Sequence, residues 1–301
     1  MRANPSTSGG ILLVDKPGGI TSHDVVARAR RALNTRRIGH AGTLDPMATG
    51  LLILGVDGST RLLTYLVGLD KTYEATIRLG AATDSDDADG VEISRADAAT
   101  LAAVTDDALH AGIRDLTGAL QQVPSRVSAI KVGGRRAYDL ARAGEEVELR
   151  ARAVTVSRFD VRGVRRHADA VDVDVVVDCS SGTYIRALAR DLGSGLGVGG
   201  HLTALRRTRI GPFRVSDAVE DLVPGAALLP PAEVAASVLG GFAVSVDEAR
   251  DLRHGKRLAG AADRLPSAPA AAIDPDGRLV GVVERRGADV KSAMNMPEEA
   301  P

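Results

Sequence analysis

One acidic side chain stands out because it lies in a loop rich in turn-forming residues. Residues 37–50 contain three glycines, one proline and His40, but a single acid, Asp45. The apolar residues 51–54 follow directly. A lone carboxylate on a shaped loop beside a core element is well placed to be held still for chemistry. The Asp45-Pro46 pair also fits a purely structural turn, in which Asp45 is a cap.

A second motif resembles a dinucleotide-binding fingerprint. Residues 195–200 match G-x-G-x-x-G, and Glu220 follows twenty residues later. The fingerprint requires a strand before the glycines and a helix after them. The segment that precedes residue 195 is predicted to be helical, so we interpret these glycines as the end of a helix and a turn. The sequence therefore predicts no nucleotide cofactor.

The acidic segment at residues 84–90 resembles a calcium-binding loop. Placing Gly90 at the sixth position of such a loop puts Ala96 at the last position, where an EF-hand requires glutamate. We therefore expect a solvated acidic turn. The six histidines also lack the spacing of zinc ligands, so we predict no metal.

Composition is that of a soluble globular protein, with 44% hydrophobic and 26% charged residues. No apolar run approaches the roughly 20 residues that span a bilayer, and the polar residues 1–10 do not resemble a signal peptide. A single cysteine, Cys179, excludes an internal disulfide and is expected to be a small buried side chain. We predict a cytoplasmic protein.

Basic residues are clustered, although the net charge of the chain is only −1. Three clusters contain Arg2, Lys16, Arg28, Arg30, Arg31, Arg36 and Arg37; Arg126, Lys131, Arg135 and Arg136; and Arg206, Arg207, Arg209 and Arg214. Acidic residues concentrate at 84–89 and 145–148. Such segregation can form a basic groove on a neutral protein. Each cluster alone also fits an ordinary solvated face.

Hydrophobic patterning predicts alternating strands and helices. Strands are expected at 11–14, 73–80, 153–161 and 171–177, and short ones at 243–246, 270–273 and 279–283. Helices are expected at about 21–33, 94–118, 137–143, 184–192 and 232–239, the first capped by Thr21 or Ser22. The spacing of the last strands suits a small β-barrel, and residues after 288 are expected to be frayed.

Several motifs occur in an order that is specific to one family. They are K-P at 16–17, G-H-x-G-x-L-D-P-x-A-x-G at 39–50, K-x-Y at 71–73, T-D-x-x-D-A-D-G at 83–90, S-A-I-K-x-x-G-R-x-A-Y at 128–138, S-x-G-T-Y-I-R at 180–186 and H-L-T-A-L-R-R at 201–207. Together they resemble the TruB family of bacterial tRNA pseudouridine synthases, which isomerise the uridine at position 55 of the T loop. The resemblance covers residues 10–215 closely and the remainder more loosely.

The resemblance implies an α+β fold. Its catalytic domain, residues 10–230, has a central mixed, largely antiparallel sheet flanked by helices, with a thumb-like insertion at about 123–148. A small PUA-like β-barrel that binds RNA is expected at 240–290. Residues 1–9 and 291–301 are expected to be a disordered N-terminus and a flexible tail. The family also implies a monomer that grips the T arm and acceptor stem of tRNA.

The same resemblance implies a reactive pair. Asp45 matches the catalytic nucleophile, and Arg186 matches the arginine that pairs with it. A carboxylate can divide a difficult step into two easier ones through a covalent adduct, and a nearby guanidinium favours its ionised form. Isomerising uridine involves no net redox change, so no cofactor is expected. Without the resemblance, Arg186 would be interpreted as a helix-surface arginine.

Further residues match those that hold the substrate. Tyr73 matches the tyrosine that stacks on the target base, Tyr184 and Leu205 line the uracil pocket, and His40 takes the space of the everted nucleotide. A base inside a folded loop must be flipped out at a cost of a few kcal/mol, which aromatic stacking of about 1–3 kcal/mol per base can offset. Without the resemblance, Tyr73 would be interpreted as a packing residue at the edge of a strand. His40 would be interpreted as a loop histidine whose hydrogen bonds are satisfied within the fold.

Two expectations depend on the resemblance more loosely. Lys16 matches a residue that contacts RNA phosphate or supports the floor of the site. In the thumb, Arg126, Lys131, Arg135 and Arg136 would contact phosphates, although Ser125 and Val127 replace the usual proline and aromatic residue. An alternative from another class is an RNA-binding, tRNA-folding protein whose catalysis is secondary.

Overall fold

The computed structural model describes residues 9–126, 131–132, 135–136 and 149–297. The helices are α1 Ser22–Ala32, α2 Leu63–Leu66, α3 Ala98–Ala102, α4 Asp106–Asp115, α5 Ile185–Gly195, α6 Pro231–Leu239 and α7 Val246–Arg253. Short 3₁₀ turns lie at Asp57–Leu62, Val215–Asp217 and Ala262–Arg264. The predicted helix at 137–143 and most of the predicted thumb lie outside the described residues.

The strands are numbered in chain order. They are β1 Gly10–Lys16, β2 Ile38–Ala41, β3 Thr49–Val56, β4 Lys71–Leu79, β5 Ala81–Thr83, β6 Glu92–Arg95, β7 Gly118–Gln122, β8 Lys131–Val132, β9 Arg135–Arg136, β10 Arg152–Arg166, β11 Val171–Cys179, β12 Gly200–Ile210, β13 Phe213–Arg214, β14 Gly241–Ala243, β15 Ala270–Ile273, β16 Leu279–Arg286 and β17 Asp289–Asn295. The chain forms two compact units. The first comprises Met1–Leu44, Leu51–Val67 and Gly211–Pro301, and the second Asp45–Gly50 and Gly68–Ile210.

The second unit is built on one sheet. Its strands lie in the order β12-β4-β11-β10-β7, and all these neighbours are antiparallel. Thr49 and Gly50, which begin β3, pair in parallel with Arg206 and Arg207 of β12. The central sheet is therefore mixed and largely antiparallel, as predicted. Helix α5 packs on it with an apolar face that includes the fully buried Leu188.

The described residues of the first unit form three hydrophobic clusters. In one, Val25, Val26 and Ala29 of α1 pack on apolar residues of β1 and β3. Thr21 caps α1 with a reciprocal hydrogen-bond pair to Asp24, which confirms the predicted cap. In another, the four-stranded sheet β14-β15-β16-β17 packs against α7. In the third, α6 packs on apolar residues of the same sheet.

Three predicted segments differ from the structure. Residues 243–246 were predicted as a strand, but β14 ends at Ala243 and α7 begins at Val246. Ser245 starts this helix through reciprocal capping hydrogen bonds with Glu248. Residues 94–118 were predicted as one helical stretch, but the end of β6, two helices and the start of β7 occupy them. Asp97 and Thr105 accept hydrogen bonds from backbone N–H groups and so start α3 and α4 separately. The prediction that residues after 288 are frayed is wrong, because β17 pairs with β16 there through Asn295.

Within the described ranges, no helix combines the length and apolar character needed to cross a membrane.

Candidate active site

Asp45 lies in the connection between β2 and β3. These strands pair antiparallel through Ile38–Ala41. Within the connection, the N–H of Ala48 donates to the carbonyl of Asp45 at 3.1 Å, which closes a tight turn. Ala48 is fully buried, whereas 37% of the Asp45 side chain is exposed. The turn therefore anchors the backbone in the core while it leaves the carboxylate accessible to a substrate.

Gly50 explains why the loop ends in glycine. Its φ is +101°, in the region that disfavours side chains, and a Cβ at this position would lie 2.3 Å from the carbonyl oxygen of Arg207. The close approach of the β12 backbone therefore requires glycine at this position.

Arg186 brings the carboxylates of the site together. It lies in the first turn of α5, and only 3% of its side chain is exposed. Its Nε is 3.0 Å from Oδ2 of Asp45, and its Nη1 is 3.2 Å from Oδ2 of Asp87. Nη1 also donates to the carbonyl of Ser85 at 2.7 Å. A buried guanidinium held on several sides is a fixed positive charge, which orients Asp45 and stabilises its ionised form.

The acidic turn at 84–90 was predicted to be solvated, but only part of it is. Asp84 and Asp89 are exposed, whereas the residues between them include a buried run at 85–87. Ser85, Asp86 and Asp87 are each less than 9% exposed. The hydroxyl of Ser85 donates to Oδ1 of Asp87 at 2.6 Å, and Thr83 donates to the carbonyl of Asp87 at 2.7 Å. The buried carboxylate of Asp87 is tolerated because the guanidinium of Arg186 compensates its charge. Asp87 was missed as a site residue, although it lies within the motif at 83–90.

Tyr73 lies beside the reactive pair on β4. It is opposite Arg207 of β12 and Val177 of β11 in the sheet register, and it is 8% exposed. Burial raises the pKa of the Tyr73 phenol, and the charge of the Asp45 carboxylate raises it further. The charge of Arg207 and its hydrogen bond with the phenol lower this pKa. The phenol is therefore neutral near pH 7. Tyr73 is thus close enough to Asp45 to feel its charge, and its stacking on the target base stays a prediction.

Tyr184 and Leu205 also lie in this unit. Tyr184 is the N-cap of α5, two residues before Arg186. The side chain of Gln122 bonds its backbone twice, accepting from the N–H at 2.8 Å and donating to the carbonyl at 3.0 Å. Gln122 thus fixes the start of the helix that carries Arg186, and no sequence signal singled it out. Leu205 is buried on β12 opposite Ala75.

Lys71 is a second buried cation in this region. It precedes Tyr73 by two residues and is 5% exposed. Its ammonium donates to the carbonyl of Leu69. Burial, together with the nearby charge of Arg207, lowers the pKa of Lys71 to about 8. The neighbouring Cys179 is buried as predicted, and burial raises the pKa of its thiol to about 11.

His40 and Lys16 belong to the other unit. The ring of His40 packs edge-on against His23, with 5.4 Å between centroids. Lys16 is fully buried, and its ammonium donates to the carbonyls of Pro17 and Ile20 at 2.8 and 2.7 Å. This burial is against a phosphate contact by Lys16 and is compatible with the supporting role that was its other expectation.

The dinucleotide-fingerprint interpretation is excluded by the local order of elements. Helix α5 ends at Gly195, Gly197 and Gly199 have φ values of +71° and +72°, and β12 begins at Gly200. The glycines therefore turn the chain from a helix into a strand, as predicted.

Among the described residues, no group of three or more His, Cys, Asp or Glu side chains is arranged to hold a metal ion.

Sequence comparisons define the class to which this fold and site belong. Residues 30–185 match the N-terminal domain of the TruB family pseudouridylate synthases. Residues 186–227 match the tRNA pseudouridylate synthase B C-terminal domain, and residues 242–297 match the C-terminal domain of tRNA pseudouridine synthase II. The chain belongs to the TruB family of pseudouridylate synthases.

Relatives over nearly the whole chain include proteins named tRNA pseudouridine synthase B. A tRNA pseudouridine synthase B from Leifsonia xyli subsp. xyli is 58% identical over 293 residues, which are 96% of this chain and 97% of that protein. Another from Thermobifida fusca is 53% identical over 283 residues, covering 92% and 94% of the two chains. In fold, the chain resembles one from a Cbf5-Nop10-Gar1 complex, with a TM-score of 0.68, 23% identity and coverage of 98% and 85%.

Proposed function

We propose that this protein isomerises uridine to pseudouridine at position 55 in the T loop of tRNA, with Asp45 as the nucleophile. Membership of the family and full-length relatives named tRNA pseudouridine synthase B support an isomerase that acts on tRNA. The observation that carries the assignment of Asp45 is its 3.0 Å ion pair with the buried Arg186.

The chemistry matches what this site contains. The glycosidic bond from N1 to C1′ breaks, the freed base rotates, and a bond from C5 to C1′ forms. A proton leaves C5 and N1 gains one, so the overall reaction is an isomerisation without net redox change. An accessible carboxylate, held ionised by Arg186, can form and release a transient adduct. Tyr73 supplies an aromatic face for the everted base.

The remaining residues are proposed to shape the pocket. Tyr184 and Leu205 line the space around the uracil, and His40 fills the gap that the everted nucleotide leaves. Lys16 supports the backbone around Pro17 and Ile20 from within the fold, as its buried hydrogen bonds favour.

We propose that RNA is gripped by several parts of the chain. Residues 10–230 would form the catalytic domain, with the basic insertion at 123–148 contacting backbone phosphates of the T arm. Residues 240–290 would form a PUA-like RNA-binding domain that contacts the acceptor stem. Its open sheet β14–β17 and the bridge between Leu258 and Val290 are compatible with such a small β domain. The protein would act as a cytoplasmic monomer.

The experiment separates turnover from RNA binding. The purified chain is incubated with an unmodified tRNA transcript, and nucleosides are analysed by liquid chromatography and mass spectrometry. Asp45→Asn keeps the shape of the side chain but removes the nucleophile, so it should abolish pseudouridine formation while affinity for the transcript changes little. Turnover retained by Asp45→Asn would refute the assignment. Turnover absent from the wild-type protein would refute the activity.

A further inference from the structure

Helix α5 carries a second arginine that faces the same acidic turn. Arg190 follows Arg186 by four residues, so both side chains lie on one face of the helix. Nη1 of Arg190 is 3.2 Å from Oδ2 of Asp86, just as Nη1 of Arg186 is 3.2 Å from Oδ2 of Asp87. Two adjacent aspartates are thus held by two arginines one helical turn apart.

Asp86 is expected to lower the stability of the fold at this position, because of its backbone conformation and its buried charge. Its φ is +63°, which a non-glycine residue adopts only under constraint, and its side chain is 10% exposed. Burial raises the pKa of its carboxyl, a change that the Ser125 hydroxyl and the charges of Arg190 and Arg186 oppose. Without a compensating cation, the Asp86 carboxylate would attract Arg186. The guanidinium of Arg186 would then be drawn away from its ion pairs with Asp45 and Asp87.

The turn is fixed from its other side by β12. The N–H of Leu202 donates to the carbonyl of Asp86 at 3.0 Å, and Leu202 bridges Asp87 in the sheet register. The backbone of the turn is therefore anchored, and the direction in which Arg186 is drawn depends on the charges of the side chains.

Arg190 also ties this turn to the end of β7. Its Nη2 donates to the carbonyl of Val123 at 2.7 Å, and its Nε donates to Asp191 at 2.9 Å. The preceding residue, Gln122, holds the backbone of Tyr184 at the start of α5. Residues 122–123 are thus attached to α5 at both of its first two turns.

We infer that Arg190 is a positioning residue for the isomerisation, which acts by neutralising Asp86 so that Arg186 stays paired with Asp45 and Asp87. This inference rests on the proposed function. The contacts of Arg190 described above include neither Asp45 nor Tyr73, and its effect passes through the acidic turn. It is therefore distinct from the reactive pair.

The test is a double-mutant cycle of Arg190→Gln and Asp86→Asn, with both single variants and the double variant made in the full chain and assayed on a tRNA transcript. Arg190→Gln should lower kcat about 10- to 100-fold, since small displacements of a reactive group have effects of this size, while KM changes less than about twofold. Asp86→Asn/Arg190→Gln removes both charges and should recover most of the lost kcat. Arg95→Gln is the matched control, because Arg95 forms an exposed ion pair with Glu92 outside this network, and it should leave kcat unchanged.

A second measurement does not depend on turnover. In protein with ¹⁵N-labelled arginine, the Nε–H resonance of Arg186, assigned from its loss in Arg186→Lys, reports the bond to Asp45. Arg190→Gln should speed exchange of this proton with solvent, and Asp86→Asn/Arg190→Gln should restore its protection. An unchanged kcat and exchange rate in Arg190→Gln, or additive losses in the double variant, would overturn the inference. Wild-type protein that makes no pseudouridine would instead refute the proposed function, while exchange still tests the positioning.

Discussion

At the scale of single residues, the site is a balance of buried charges. Arg186 holds Asp45 and Asp87 on one guanidinium, and the accessible carboxylate is the one proposed to react. A guanidinium with fixed partners cannot drift toward solvent, so the position of the Asp45 carboxylate is set before the substrate arrives. Catalysis should therefore be sensitive to residues that only hold Arg186.

Asp87→Asn tests this sensitivity. The change removes the 3.2 Å ion pair to Arg186 but keeps the size of the side chain. We expect the single-turnover rate of pseudouridine formation to fall about 10- to 100-fold, with transcript affinity little changed. Asp89→Asn, an exposed aspartate on the same turn, is the control. Equal rates for the two variants would contradict the role of Asp87.

Lys71 gives a prediction for the pH dependence of stability. Its pKa is lowered from 10.5 to about 8 in the folded protein. The charged form therefore disfavours folding below about pH 8, and this penalty is lost as the pH rises toward 10.5. Lys71→Met should thus gain stability relative to the wild type below pH 8, and the gain should shrink by pH 10. Urea unfolding at both pH values measures the difference, and a pH-independent difference would refute the prediction.

At the scale of elements, the reactive loop is fastened where β3 meets β12. Thr49 and Gly50 pair in parallel with Arg206 and Arg207, so the chain is anchored five residues after Asp45. The start of α5 is anchored by Gln122. These two junctions hold Asp45 and Arg186 at a fixed separation.

Gly50→Ala tests the first junction. A Cβ would lie 2.3 Å from the carbonyl oxygen of Arg207, and the φ of +101° is itself unfavourable for alanine. Gly118 is the matched control, because its φ is +104° but no atom lies within 4 Å of the place that a methyl group would take. We expect Gly118→Ala to lose about 1–2 kcal/mol of unfolding free energy. Gly50→Ala should lose at least about 2 kcal/mol more, from the clash. Similar unfolding midpoints in urea would argue against the junction.

Much of this element pattern could be predicted from the sequence, and the exceptions have physical reasons. Apolar alternation located β4 and β11, and the Thr21 cap located α1, because those signals are local. The acidic turn was interpreted as solvated because its compensating arginines lie about 100 residues away in α5. Gln122 was missed because a glutamine that bonds distant backbone groups has no periodic signature. Asp45 and Arg186 were identified through the family motifs, since local sequence alone also fitted a structural turn for Asp45 and a helix-surface arginine for Arg186.

At the scale of the whole molecule, RNA binding must come from charge distribution and not from net charge. The chain carries 38 basic and 39 acidic side chains, yet acids such as Asp86, Asp87 and Asp172 are buried in internal ion pairs. Basic side chains including Arg28, Arg31, Arg36 and Arg37 are exposed. The surface near them can therefore attract phosphates although the protein as a whole is neutral.

The salt dependence of binding tests this view. Asp45→Asn is titrated with a tRNA transcript at rising potassium chloride concentration, so that turnover does not interfere. Each phosphate contact should contribute about 0.7–0.9 to the slope of log affinity against log salt. We expect a steep negative slope, and Arg28→Gln/Arg31→Gln should make it shallower. A dissociation constant that does not vary with salt would contradict a phosphate-dominated interface.

The proposed catalyst is Asp45, held by Arg186, acting on one uridine of tRNA. The most direct measurement is chemical mapping of pseudouridine by primer extension on a transcript after incubation with wild-type protein or Asp45→Asn. We expect a reverse-transcription stop that reports position 55 for the wild type and no such stop for Asp45→Asn. A stop that persists with Asp45→Asn, or one that reports only other positions, would contradict this role.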